Sequence, residues 1–103
     1  MREITCHILS VEDCGLTKEG LEDFIDFFQN YTDSVMLLKL DMVVITRTAL
    51  AATVALLNAD WSHLRDAVSK QEGPDSVERW YNVCDTILRN SPASDEIIMI
   101  ERN

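Results

Sequence analysis

The stretch Ser34-Val-Met-Leu-Leu-Lys-Leu-Asp-Met-Val-Val-Ile-Thr-Arg-Thr-Ala-Leu-Ala-Ala-Thr-Val-Ala-Leu-Leu-Asn58 decides how this chain is folded. Val35, Leu38, Met42, Ile45, Ala49, Ala52, Leu56 and Ala59 keep a 3-4 spacing. Leu37, Leu40, Val43, Val44, Leu50, Val54 and Leu57 widen that stripe until the segment is apolar nearly all round. This pattern predicts a central helix over 34–58, buried on every side or shared between subunits. Unbroken, it would extend roughly 37 Å, against a radius of gyration near 13 Å expected for this chain length. It therefore kinks, or ends near Asp41 and restarts. The β-branched run Val43-Val44-Ile45-Thr46 permits a strand instead.

The flanks read more simply. Residues 3–9 are β-favouring, with Ile4, Cys6 and Ile8 on one face and Thr5, His7 and Leu9 on the other. The loop 11–15 leads to Thr17, a natural N-cap, and Glu19 and Glu22 suit the positive end of a helix dipole. Leu21, Phe24, Ile25 and Phe28 then follow at i, i+3, i+4 and i+7, which predicts an amphipathic helix over 18–30. Gly20 in its first turn opposes this slightly. Thr32-Asp33-Ser34 is a second cap signal.

Beyond the central segment, Asp60 caps a short helix over 61–71, with Trp61, Leu64 and Val68 inward, stopped by Gly73-Pro74. A helix over 75–90 buries Val77, Trp80, Tyr81, Cys84, Ile87 and Leu88, and residues 96–101 close the chain as a strand. The expected fold is α+β and mostly α-helical. Four helices pack on a small two-stranded sheet of the N- and C-terminal strands, in the order β-α-α-α-α-β, with residues 1–103 as one compact domain. Phe24, Phe28, Ile45, Leu56, Trp80 and Ile87 are its expected core. A two-stranded ribbon is marginal without a helical layer, and its edges stay open to strand addition.

With 103 residues, one core is all the length accommodates. Hydrophobic residues at 47% and charged residues at 26% exclude a disordered chain. The formal charge of -9 disfavours direct binding to nucleic acid or anionic lipid, and makes basic protein surfaces the natural partners. Residues 1–41 carry nine acids against three bases, so the acidity is concentrated there. Three cysteines, Cys6, Cys14 and Cys84, without framework spacing point to a reducing, cytoplasmic setting. Residues 1–7 contain no apolar signal core, and the longest uncharged apolar run, 48–59, is too short for a bilayer.

The most suggestive surface is an acidic ridge, Glu19, Glu22, Asp23 and Asp26, opposite Phe24 and Phe28 and flanked in sequence by Glu12, Asp13 and Asp33. Such a ridge steers a basic partner; its bland alternative is a solvated helix face. A metal site is not expected, because Cys6 and His7 point to opposite faces, Cys14 lies eight residues from Cys6, and Cys84 is on another helix. Cys14 with His7 or His63 is the only candidate nucleophile pair, and no flanking signature supports it. No cofactor and no catalysis are expected. Trp80 and Tyr81 fall on a core stripe, and Trp61 is the most exposed aromatic.

A hydrophobic surplus remains. Ile97-Ile98-Met99-Ile100 is apolar on both faces, like the central segment. Either the helices enclose this surface, or a homodimer or target buries it. At the level of class only, the chain resembles small bacterial or phage proteins that act by binding, such as immunity proteins, antitoxins and inhibitors of defence nucleases. No motif carries a residue role over from them. The expected function is a non-catalytic inhibitor that occludes a basic surface of a nuclease or other nucleic-acid-handling protein. The alternative is a structural or adaptor subunit held by hydrophobic helix and strand surfaces.

Overall fold

A computed structural model describes residues 6–32, 34–58 and 62–102, with side chains of 62–64 excepted. Strand β1 (Cys6–Leu9) leads through a 3-10 turn (Glu12–Cys14) into helix α1 (Lys18–Tyr31). Strands β2 (Leu37–Leu38) and β3 (Met42–Thr46) follow, then α2 (Arg47–Asn58), α3 (Ser62–Glu72), α4 (Ser76–Arg89) and β4 (Ile97–Glu101). The sheet is four-stranded and mixed, in the order β1-β4-β3-β2. β1 runs parallel to β4, whereas β3 is antiparallel to both β4 and β2.

The two terminal strands pair as expected, but the two-stranded sheet and the helical reading of residues 34–46 are overturned, and the strand that Val43-Val44-Ile45-Thr46 permits is the one that forms. The central segment is a hairpin followed by a shorter helix. Val43, Val44, Ile45 and Thr46 go to the strand because β4 offers a full ladder, from Met42 opposite Glu101 to Thr46 opposite Ile97. β-branched side chains lose less there than in a helix. Thr46 then caps the helix that begins at Arg47, accepting from the Ala49 N–H at 3.1 Å. Glu96 adds its carboxylate to the Thr48 N–H and hydroxyl (3.3 and 2.8 Å). The hairpin closes at Lys39 and Met42, each donating its N–H to the other's carbonyl (2.8 and 3.4 Å). Every described non-glycine residue has negative φ, so Leu40-Asp41 is not one of the primed turns that announce themselves through Asn-Gly or Asp-Gly.

The change of register moves the buried face of α2. Leu50, Thr53 and Leu57 are buried, whereas Leu56, an expected core residue, is half-buried and Val35 is exposed. Phe24, Phe28, Ile45, Trp80 and Ile87 are buried as expected. Phe27 stacks on Trp80 with ring centroids 5.2 Å apart, and Phe24 meets Phe28 edge-on at 4.8 Å. Thr17 caps α1 by accepting from the Gly20 N–H at 3.0 Å. A Cβ at Gly20 would sit 3.3 Å from that hydroxyl, which explains a glycine in the first turn. The expected strand at 3–5, the Asp60 cap, and the placements of Trp61, His63 and Leu64 lie outside what is described.

The cross-strand registers sort the sheet's side chains into two faces. Leu9, Ile100 and Val43 form one covered row and Ile98 and Ile45 part of the next, all buried in the common core with α1, α2 and α4. Ile8, Met99, Val44 and Leu37 form a row on the opposite face, which is exposed or half-buried.

Candidate functional site

Helix α1 anchors its apolar side, Leu21, Phe24, Ile25, Phe27 and Phe28, in the core. Its opposite side carries Glu19, Glu22, Asp23 and Asp26, all exposed. Their spacing of i, i+3, i+4 and i+7 places them on one face, where carboxylates four apart repel one another. Two cations from distant elements relieve this. Arg102, just beyond β4, donates from Nε and Nη2 to the two Glu22 carboxylate oxygens at 2.9 and 3.2 Å. Hydrogen bonding to Glu22 holds the Arg102 guanidinium pKa above its ordinary value. Arg79 lies 3.8 Å from Asp23 and stacks over the Trp80 ring at 4.5 Å. Both ion pairs are partly or largely exposed, so solvent screens them and they contribute little to stability.

The ridge is thus arranged as two partnered carboxylates, Glu22 and Asp23, between two others. Glu19 and Asp26 form no ion pair among the described residues. Of the flanking acids, Glu12 and Asp13 sit in the 3-10 turn. Asp13 accepts from the Ser10 N–H at 3.0 Å, which holds its carboxyl below the usual range. Asp33 is outside the described residues. The ridge itself was readable from helical spacing. Arg79 and Arg102 were missed, because no local signal connects Glu22 to a guanidinium 80 residues away.

Cysteine chemistry is constrained by burial. Cys14 and Cys84 are fully buried, and desolvation pushes both thiols up to about 12, so both are protonated at neutral pH. Cys14 therefore offers no thiolate to pair with His7. His7 lies on the covered face instead, with Nδ1 3.8 Å from the buried Asp95 carboxylate. Cys6 is exposed on the other face. Among the described residues no three of His, Cys, Asp and Glu converge as metal ligands. No described helix is long and apolar enough to cross a membrane.

Two shallow clefts stand out among the described residues. One, of ≈ 290 Å³, lies among Lys18, Glu19, Glu22 and Arg102, and its mixed charges select neither anion nor cation. The other, of ≈ 240 Å³, lies where α2, α3 and α4 meet and is lined by Leu57, Asn58, Arg65, Val77, Glu78 and Tyr81. Among the described residues every buried side-chain polar atom has a hydrogen-bond partner, so no orphan donor or acceptor marks a ligand position. Another cation missed from sequence, Arg47, is structural. Its guanidinium donates to the carbonyls of Ser91, Pro92 and Asp95 (2.6, 2.8 and 3.2 Å) and closes the C-terminal end of α4.

No protein-family model, no curated protein and no solved structure matches this chain.

Proposed function

We propose that the protein acts by binding, not by catalysis, and that the α1 ridge docks against a basic surface of a protein partner. The target class is a nuclease or other nucleic-acid-handling protein whose basic groove the ridge occludes, in the manner of an immunity protein, an antitoxin or an anti-defence inhibitor. The observation that carries this reading is the row of four exposed carboxylates on a helix whose other face is locked into the core. A preorganised row loses little entropy on docking, and its field steers a cationic surface at long range. Glu19 and Asp26 are the first contacts, because Glu22 and Asp23 already face internal cations.

The test is Glu19→Lys with Asp26→Lys, both on the solvent side of α1. Affinity capture from the native host with the wild-type chain identifies the partner, and binding kinetics follow at low and physiological salt. The double variant is expected to associate about tenfold or more slowly at low salt, with the gap closing as salt rises. Equal affinity and equal on-rates at both salt concentrations would remove the ridge from the interface. A second reading, an adaptor subunit held by apolar contacts, is favoured by the exposure of Val35, Leu37, Leu38 and Leu40.

A further inference from the structure

The cleft where α2, α3 and α4 meet combines an apolar floor with polar walls whose groups lack partners within the described chain. Leu57 and Val77, both buried, form the floor. The half-buried Tyr81 stands one helical turn from Val77 on the same face of α4. Arg65 of α3 and Glu78 of α4, both exposed, bring opposite charges to this space of ≈ 240 Å³, and Asn58 is the last residue of α2. Arg65 and Glu78 line one cleft yet form no ion pair with each other. Arg47, Arg79, Arg89 and Arg102 each engage a carbonyl or a carboxylate, so Arg65 is the exception among the described arginines. The side chains of Asn58, Glu78 and Tyr81 likewise have no hydrogen bond or ion pair among the described residues. The cleft beside α1 differs on both counts: Arg102 and Glu22 satisfy each other directly, and no apolar residue lines it.

We infer that this cleft binds a small zwitterion, a free amino acid with an apolar side chain of middle size. The Arg65 guanidinium takes the carboxylate through its planar fork of N–H donors. Glu78 accepts from the ammonium group, and the Asn58 amide and Tyr81 hydroxyl complete the polar end. The apolar side chain lies on Leu57, Val77 and the Tyr81 ring. Charge selects this class over its neighbours. The net charge of -9 repels a metabolite with net negative charge, and Glu78 beside Arg65 adds to that repulsion. A simple amine satisfies Glu78 but brings a cation up to Arg65. A zwitterion carries no net charge and meets both groups. The cleft is smaller than the roughly 300–1,000 Å³ of sites for drug-sized ligands, so it is matched to a small molecule and not to a nucleotide. Its charged walls are exposed and screened, so the affinity is low, with a Kd on the order of 1 mM. None of the four ridge residues of α1 lines this cleft apart from the main argument for docking, so the inference stands independently of that reading.

Titration of L-leucine into the isotope-labelled full chain, from about 0.1 mM to about 30 mM, tests this by amide chemical shifts. Saturable shifts are expected, centred on Leu57, Asn58, Arg65, Val77, Glu78 and Tyr81. Arg65→Gln and Glu78→Gln replace exposed side chains, so each is expected to keep the wild-type circular dichroism and to weaken leucine binding tenfold or more. Isocaproate lacks the ammonium group and isoamylamine lacks the carboxylate; each is expected to bind at least tenfold more weakly than leucine. Glu19→Lys with Asp26→Lys should leave the leucine affinity unchanged, which separates this site from the α1 ridge. Shifts that do not saturate, or that centre elsewhere, overturn the inference. So does undiminished leucine binding by either Gln variant, or isocaproate binding as tightly as leucine, which would make this a simple carboxylate site. Leucine binding lost in the ridge variant would move the ligand to α1 and overturn it as well.

Discussion

The two faces of the sheet are built from the same kinds of residue on the same strands, yet they live in different surroundings. On β4, Ile98 and Ile100 are fully buried, whereas Ile97 and Met99, which alternate with them, are only half-buried. β3 repeats this, with Val43 and Ile45 buried and Met42 and Val44 half-buried. What separates them is the helical layer, because α1 and α4 bring Phe24, Phe27, Phe28 and Trp80 to one side only. Apolarity therefore does not assign a side chain to the core. A strand apolar on both faces becomes a core strand on the side where another layer reaches it and an open surface on the other.

Breaking the covered side should have the largest effect. Trp80→Ala empties the centre of the aromatic cluster and is expected to cost about 3–5 kcal/mol, read as a lowered denaturation midpoint. A loss within about 1 kcal/mol would show that α4 does not seal this face. The sharper comparison uses neighbours on one strand. Ile98→Ala should cost about 2–5 kcal/mol, and Met99→Ala, on the open face, less than about 1 kcal/mol. Equal costs would mean that the open face is covered as well.

An intermediate effect is expected at Arg47. Arg47→Ala leaves the carbonyls of Ser91, Pro92 and Asp95 without this donor and should cost about 1–3 kcal/mol. Chemical denaturation of Arg47→Ala and wild type checks it, and a loss below about 0.5 kcal/mol, typical of ordinary surface substitutions, would show that water replaces the clamp.

The thiols extend the contrast with a smaller effect. A thiol reagent is expected to modify Cys6 alone in the native protein, and all three cysteines after denaturation. Burial raises Cys14 and Cys84 from 9.0 to about 12, so their protonated forms are favoured in the folded state. Their contribution to stability is complete below pH 9 and is lost as pH rises from there towards about 12. Cys84→Ala should flatten that alkaline decline. An unchanged decline would assign it to other groups.

The sequence determined what depends on near neighbours. The Thr17 cap and the spacing of Leu21, Phe24, Ile25 and Phe28 specify α1 to within a residue of its observed end. The spacing of Val77, Trp80, Cys84 and Ile87 does the same for α4, and the acidic ridge follows from the same 3.6-residue period. The β character of both chain ends was equally readable. Residues 34–58 were not, because where almost every position is apolar, a 3-4 spacing matches by default and carries no information about period. Only tertiary structure decided that Val43–Thr46 is a strand, since the ladder that spans its whole length lies on β4, more than fifty residues along the chain, and β2 pairs with Val43 and Val44 alone. Tertiary structure likewise decided which sheet face is covered and that Arg102 and Arg79 partner the middle of the ridge. The physical reason is common to these. A helix satisfies its backbone within four residues, so local sequence encodes it, whereas strands, layers and ion pairs between elements are completed by groups whose position exists only once the chain has folded.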